Sequence, residues 1–489
     1  ELPAHFISAN HEIHIKNPKL WWPLGYGEQP LYEVTMSLLH HGVVMDSRTE
    51  KIGLRTLQLE KNFTPGKQEF LFRVNDVPIF IKGTNWVPLS ALHSQDISRV
   101  YEAIGLCVEA RCNFIRCWGG NVYESDEFYN LCDQHGILVW QDFAMGNTNY
   151  PQSGQFFEMI EKECANVIQR LRNHPCIAVW SGDNEVDYKN LGYYYPNYAS
   201  RYNRVSRELL PRLTQAHDPY RYYIASSPEI PEGFNAYNVP EQHNWGARAW
   251  YKDDFYKNST AKLISEIGYH GCPAPKSLRK FIPEDKLWPL DNDVWAIHST
   301  EDIRIEPIKN GRNHLMRNQV ALLFGEVPDN LSEFSFLSQI SQAEALKFFV
   351  ERARAKKWEC TGIIWWNMLD CLPQISDAVV DYYFNKKIAY HYIKRVQNPI
   401  LVFITETEGW HQSVLISNDT NEDVEVSFTV IDYDKGETLL NGKRTVKAGH
   451  NIEAGKIWST VSNQNLYIIT YSVNDKEYGN HYITGLPPL

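Results

Sequence analysis

Ile177-Ala178-Val179-Trp180-Ser181-Gly182-Asp183-Asn184-Glu185 is an apolar run that ends in a polar tip. A short apolar run bounded by polar and Gly residues reads as a buried strand. Its charged end then stands where the strand leaves the core. In a (β/α)8 barrel that is the face where chemistry is carried out. Leu263-Ile264-Ser265-Glu266, followed by Ile267 and Gly268, repeats the design. Either Glu alone would read as a solvated loop residue or a helix cap. Two carboxylates at the tips of two barrel strands are what acid-assisted cleavage of a glycosidic bond requires.

Outward from that strand, the rhythm from about residue 65 is short strand, loop, helix. Eight strands are expected at 79–82, 114–118, 137–141, 177–181, 222–225, 236–239, 263–266 and 362–366. Helical periodicity falls between many of them. Asp126 to Gln134 carries Phe128, Tyr129, Leu131 and Cys132, and Phe156 to Leu171 carries apolar residues near a 3.6 period. Alternation with a count near eight favours a closed barrel over a doubly wound sheet. The long interval from Gly268 to Gly362 is expected to hold a surface excursion and a helix from Gln342 to Lys356. Phe70 to Pro78 reads as a hairpin with an Asn-Asp turn.

Both flanks alternate with period two. Strands are expected at His11–Ile15 and Leu31–Leu38, around the aromatic, Gly-rich run Trp21 to Gly27. A sheet this small would bury too little to stand alone, so upstream sequence is expected. Past Pro399, strands are expected at 400–405, 411–416, 424–430, 458–460 and 466–471, running to Leu489 as a second sandwich. The predicted class is α/β: a TIM barrel flanked by immunoglobulin-like β-sandwich domains. The predicted units are residues 1–62, 63–397 and 398–489.

Composition is ordinary for a globular protein of 489 residues, apart from 15 Trp, 28 Tyr and 21 Phe. Aromatic faces pack against sugar rings, and they also fill large barrels. The net charge is −11 and no Lys/Arg-rich block stands out, which argues against nucleic acid as a partner. No apolar run approaches 18 residues, which argues against a membrane partner. Nine Cys, all between Cys107 and Cys371, read as mostly free buried thiols, and none has the spacing of a structural zinc site. Sequons at Asn62, Asn258, Asn330 and Asn418 occur at a rate chance supplies. The sequence does not assign an oligomeric state or a compartment; periplasmic, secreted and lysosome-like locations are all compatible with it.

Several ordered stretches carry a family likeness. They are Trp21–Tyr32, Gly83-Thr84-Asn85-Trp86-Val87-Pro88, Ile115-Arg116-Cys117-Trp118-Gly119-Gly120-Asn121, Leu131-Cys132-Asp133 and Val139-Trp140-Gln141-Asp142-Phe143. Trp180 to Glu185, His243-Asn244-Trp245-Gly246, Ser265 to Gly268 and Gly362 to Asp370 complete the set. With these the chain resembles glycoside hydrolase family 2, nearest to its β-mannosidase branch. The resemblance implies a retaining exo-hydrolase that releases terminal β-D-mannose from an oligosaccharide or glycan by double displacement. It implies Glu185 as general acid/base, Glu266 as nucleophile, and Asn184 as a partner of the sugar 2-hydroxyl. Trp118, His243 and Trp245 would line the sugar pocket, with one of Trp365 and Trp366 beside them, since adjacent strand residues face opposite sides. No metal or organic cofactor is implied. An amino-terminal sugar-binding domain would lie upstream. Arg116 and Asp142 read either as structural ion partners at the barrel rim or as functional ones.

Three places depart from the branch pattern: Gly182-Asp183-Asn184, Asn121, and Trp365-Trp366-Asn367-Met368-Leu369-Asp370. They surround the expected sugar site and leave an exo-β-glucosaminidase or β-galactosidase-like specificity open. An amino sugar would want an acidic partner, for which Asp183 is a candidate. Asp183 is also a candidate anion for raising the pKa of Glu185, or it points away into a network on the core side. A non-catalytic carbohydrate-binding barrel is the reading from another class, and the presence of both Glu residues speaks against it.

Overall fold

Ile177–Ser181 is buried along its whole length because both faces of its sheet are covered, which is why it reads as a continuous apolar run. In the computed structural model, which describes residues 12–190, 200–246, 248–300, 311–460, 462 and 464–489, it is the fourth strand of an eight-stranded sheet. In chain order the strands are Ile81–Trp86, Phe114–Cys117, Leu138–Asp142, Ile177–Ser181, Tyr222–Ile224, Glu241–His243, Leu263–Glu266 and Gly362–Trp365. Their spatial order is fifth, fourth, third, second, first, eighth, seventh, sixth, and every pairing is parallel. The first and eighth strands pair in the middle of this order, as in a (β/α)8 barrel whose seam lies between the fifth and sixth.

Alternate residues feed two cores. Ile81, Phe114, Leu138, Ile224, Leu263 and Ile364 pack together with Phe70 and Phe72 of the hairpin that closes the barrel floor. Phe70 stacks on Trp140 at 5.8 Å. Ile115, Val139, Ile177, Ile363 and Trp365 pack outward against the helices. One such helix, Gly154–Leu171, is capped by Ser153, whose Oγ accepts from the Phe156 N–H, and it buries Cys164, Val167, Ile168 and Leu171 on one face. The floor hairpin joins Glu69–Val74 to Val77–Pro78 through Asn75 and Asp76, both at positive φ, as its two-residue turn demands.

Seven strands from Ile400–Ile404 to Lys476–Ile483 form a three-stranded and a four-stranded sheet around a shared apolar core. Tyr32–His40 pairs antiparallel with Val43–Ile52. Among the described residues no helix is long and apolar enough to cross a membrane. All nine Cys are free and eight are buried.

Several expected elements lie elsewhere. The sixth strand is not 236–239. That stretch is a turn, with the Tyr237 N–H donating to Asn235 Oδ1 and the Asn235 N–H to Asn238 Oδ1, and its apolar residues fill a small cluster with Ile230. The true strand is Glu-Gln-His, polar because it faces the barrel's carboxyl end. Residues 12–15 are irregular, and His11 lies outside the described residues. The strand expected at 458–460 is Asn451–Trp458. The excursion helix runs over Leu331–Ala355, starting at an Asn330 cap well before Gln342. Its upstream half faces a separate core that includes Leu278, Ile282, Trp295, Met316 and Phe334.

Candidate active site

Arg116 organises the carboxyl end of the barrel. It leaves the second strand fully buried and spends its terminal nitrogens on four acceptors. Nη1 donates to Glu266 Oε1 at 2.6 Å and to Asn85 Oδ1 at 3.0 Å. Nη2 donates to Asp142 Oδ2 at 2.7 Å and to Asn184 Oδ1 at 2.7 Å. Burial alone would lower its pKa, but the carboxylates of Asp142, Glu266 and Glu241 around it raise it, so the charge stays. Arg116 and Asp142 are therefore in the site itself, which decides between the rim-structural and functional readings that the sequence left open. Asp142 is held further by Trp140 Nε1 at 2.8 Å and by the Gly119 N–H at 2.9 Å.

Glu266, at the tip of the seventh strand, is oriented from both sides. Arg116 takes Oε1, and Trp245 Nε1 donates to Oε2 at 2.7 Å. Glu185 sits just past the fourth strand with φ +55°, a left-handed conformation unfavourable for a Glu. Neighbours on both sides hold the backbone there. The Asn184 N–H donates to Met145 O and the Glu185 N–H to Ser227 O, both at 2.9 Å. Asn147 Nδ2 donates to Glu185 Oε2 at 3.1 Å. His243, fully buried at the end of the sixth strand, lies between the two carboxyls, with Nδ1 2.9 Å from Glu185 Oε1 and 3.4 Å from Glu266 Oε2. One oxygen of each carboxyl and a His243 nitrogen fall within 4.8 Å of one another. The two carboxyls thus approach closely enough for one to protonate a leaving group while the other attacks.

Desolvation, opposed by Glu266 and assisted by Arg116, pushes the His243 pKa down to about 3, so the imidazole is neutral. The trio does not suit a metal ion, because Arg116 already supplies the positive charge at Glu266. Asp133, His174 and Cys176 form a second compact group. Its donors are spent internally, Asp133 accepting from the Cys176 N–H and from His174, and burial holds the Cys176 thiol well above its usual pKa.

Three indoles rim the carboxyls. Trp118 and Trp366 meet edge to face at 5.3 Å, and Trp366 lies 6.3 Å from Trp245. The Trp118 ring folds over Gly120, where any Cβ would fall 2.0 Å from it. Trp365 is placed elsewhere: it points outward among the helices, and its Nε1 donates to Gln397 Oε1. Period-two alternation thus assigns Trp366 to the pocket. Asp183 also points away. Its carboxyl accepts from Asn203, Ser206 and Ser226 behind the strand, so it serves neither as an anion beside Glu185 nor as a partner for an amino sugar. Asn121 turns back onto the Val122 N–H and the Trp86 carbonyl.

The structure brings Glu185, Glu266, Asn184, His243, Trp118, Trp245 and Trp366 together. It adds Asn85, Asn147, Ser227 and Glu241, which the sequence reading missed. Glu241 carried a signal, an acid two residues before His243 in a short strand. Asn147 carried only its place in a Gly-containing loop after the third strand.

A family model described as glycosyl hydrolases family 2 matches residues 3–55, and that family's TIM barrel domain matches residues 67–222. Curated relatives include a beta-mannosidase B of Aspergillus niger, 33% identical over 82% of this chain and 49% of its own length. Another from Thermothelomyces thermophilus is 32% identical over 84% of this chain and 50% of its own length. Among solved structures, a beta-D-mannosidase from Dictyoglomus thermophilum superposes with a TM-score of 0.86 at 30% identity, covering 96% of this chain and 58% of that one. An exo-chitosanase from Amycolatopsis orientalis shares the fold at a TM-score of 0.76 and 18% identity, over 96% of this chain and 55% of its own. The chain spans about half the length of the curated relatives it matches.

Proposed function

The chain belongs to glycoside hydrolase family 2, and on that premise we propose that its protein is a retaining exo-glycosidase that releases terminal β-D-mannose from the non-reducing end of a glycan. One observation carries the chemistry: the Glu185 and Glu266 carboxyls converge on His243 Nδ1, with one oxygen of each within 4.8 Å of the other. The sugar rests on the curated β-mannosidase relatives.

In the first step a Glu266 oxygen attacks the anomeric carbon while Glu185 gives its proton to the leaving oxygen. Arg116 and Trp245 aim the nucleophile by holding one carboxyl oxygen each. In the second step Glu185, now ionised, takes a proton from water, and that water displaces Glu266. Acid, nucleophile and water complete the cycle without a metal or an organic cofactor. Asn184 is fixed by Arg116 on its oxygen and by Asn147 on its nitrogen, which suits it to grip one hydroxyl in one orientation. Trp118, Trp245 and Trp366 offer faces to the sugar ring.

The test is a panel of aryl β-D-mannoside, glucosaminide, galactoside, glucoside and glucuronide offered to the full-length protein. The mannoside is expected to lead in kcat/KM. A leading glucosaminide would overturn the sugar, and no turnover of any glycoside would overturn the activity.

A further inference from the structure

Beneath Glu185, four side chains form one line. Glu185 Oε1 is 2.9 Å from His243 Nδ1, and His243 Nε2 is 3.1 Å from Ser227 Oγ. Ser227 Oγ in turn is 2.9 Å from Glu241 Oε1. All four residues are buried. Ser265 Oγ also donates to Glu241 Oε1, while Glu241 Oε2 has no hydrogen-bond partner among the described residues. A buried carboxylate with a bare oxygen is costly to keep charged.

A neutral imidazole has one ring proton, and only two arrangements satisfy every link of this line. In one, Glu241 is ionised, Ser227 donates to it, and His243 Nε2–H donates to Ser227. The bare Nδ1 must then accept a proton held by Glu185. In the other, Glu241 is protonated and donates to Ser227, Ser227 donates to Nε2, and Nδ1–H donates to an ionised Glu185. The two differ by moving one proton along each link, with no change in total charge. The step that makes Glu185 an acid needs the first arrangement.

We propose that Glu185 and Glu241 share a single proton through His243 and Ser227, and that Glu241 is the positioning residue whose charge keeps that proton on Glu185. Other groups bear on the line. Glu266, Arg116 and Asn147 face its upper end, and Ser265, Arg116 and Asp142 act on Glu241. Burial pushes the Glu241 carboxyl up to about 7, against the pull of Ser265, Arg116 and Ser227, which keeps both arrangements accessible near neutrality.

The inference rests on Glu185 being the acid/base, and Glu241→Gln tests it. The amide NH2 can donate to Ser227 as a protonated Glu241 would, which favours Nδ1–H and an ionised Glu185. In the full-length protein, the basic limb of the kcat/KM profile on a β-mannoside with a poor leaving group should move down by about one pH unit. The loss should be larger for an alkoxide than for a dinitrophenolate leaving group. Ser227→Ala cuts the line and should move the limb the same way by less. A second readout needs no turnover. With 15N-labelled histidine, the His243 ring should be predominantly the Nε2–H tautomer in the parent and shift toward Nδ1–H in Glu241→Gln. An unmoved limb in both variants, or a tautomer identical in parent and Glu241→Gln, would overturn the proposal. A protein inactive on every glycoside would sink the acid/base reading and leave the tautomer result to judge the shared proton.

Discussion

At the carboxyl end of the barrel one guanidinium, Arg116, serves two carboxylates, Asp142 and Glu266. At the amino end one carboxylate, Asp419, serves three cations, Lys82 at 2.9 Å, Lys357 at 2.6 Å and Arg354 at 3.1 Å. Both clusters are buried, yet they do different work. The surplus donors at the amino end turn to carbonyls, with Arg354 Nε left without a hydrogen-bond partner among the described residues. Lys82 donates to Gln397 O, Lys357 to Asn418 O, and Arg354 to Val396 O and Asn398 O. That locks the barrel to the chain entering the carboxyl-terminal sandwich. At the site end acceptors outnumber donors, and a neutral His243 cannot make up the difference. A proton there has more than one place to rest. An excess of donors gives a clamp, and an excess of acceptors gives a site that can carry a proton.

Removing the central charge at each end should separate the two roles. Arg116→Met leaves two buried carboxylates facing each other. It should cost about 3–5 kcal/mol of stability by chemical denaturation and also abolish turnover, because Glu266 loses the contact that aims it. Asp419→Asn leaves three buried cations with no anion. It should cost a similar 3–5 kcal/mol or slightly less, since carbonyls still hold the cations, while kcat/KM per folded molecule stays within about twofold. Loss of turnover in folded Asp419→Asn would break the distinction between clamp and site.

The pH dependence sharpens it. Burial works against the Asp419 charge, but Arg354, Lys357 and Lys82 hold its carboxyl far below the usual range. A depressed folded pKa contributes stability above the unfolded value of about 4, and that contribution fades as pH falls. Asp419→Asn should therefore flatten the acid limb of the stability curve. The smallest effect expected is at Lys357. Burial pushes its ammonium down to about 8, with Asp419 pulling the other way. Between pH 8 and about 10.4 the unfolded chain binds more protons, so the parent gains stability as pH rises. Lys357→Met should lack that gain and sit within about 1 kcal/mol of the parent at pH 7. A steeper alkaline gain in the variant would contradict this account of the clamp.

The same contrast explains what the sequence disclosed. Strands that open on consecutive apolar residues, such as Ile177–Ser181 and Leu263–Glu266, stood out as runs, and the carboxylates at their ends stood out with them. Glu241–His243 was invisible to hydrophobic patterning because a strand that builds the site is itself polar. The nearby run at 236–239 took its place because its apolar residues serve a loop cluster. Trp365 and Trp366 could be paired but not ordered without the register of the eighth strand, which puts Ile364 in the floor core and Trp365 among the helices. Asp183 looked like a site residue because it adjoins one in sequence. Only the packing of Asn203, Ser206 and Ser226 around it shows that it belongs behind the strand.

The central claim is that Glu266 attacks the sugar and Glu185 does not. The most direct measurement treats the full-length protein with a 2-deoxy-2-fluoro-β-D-mannosyl fluoride, which slows release of the glycosyl-enzyme. Peptide mass spectrometry after digestion then locates the adduct. The account predicts one fluoromannosyl group on the peptide carrying Glu266, and none after Glu266→Gln. An adduct on Glu185 or on any other carboxylate would contradict it, and so would turnover of the reagent without a covalent adduct and with release of the α-anomer.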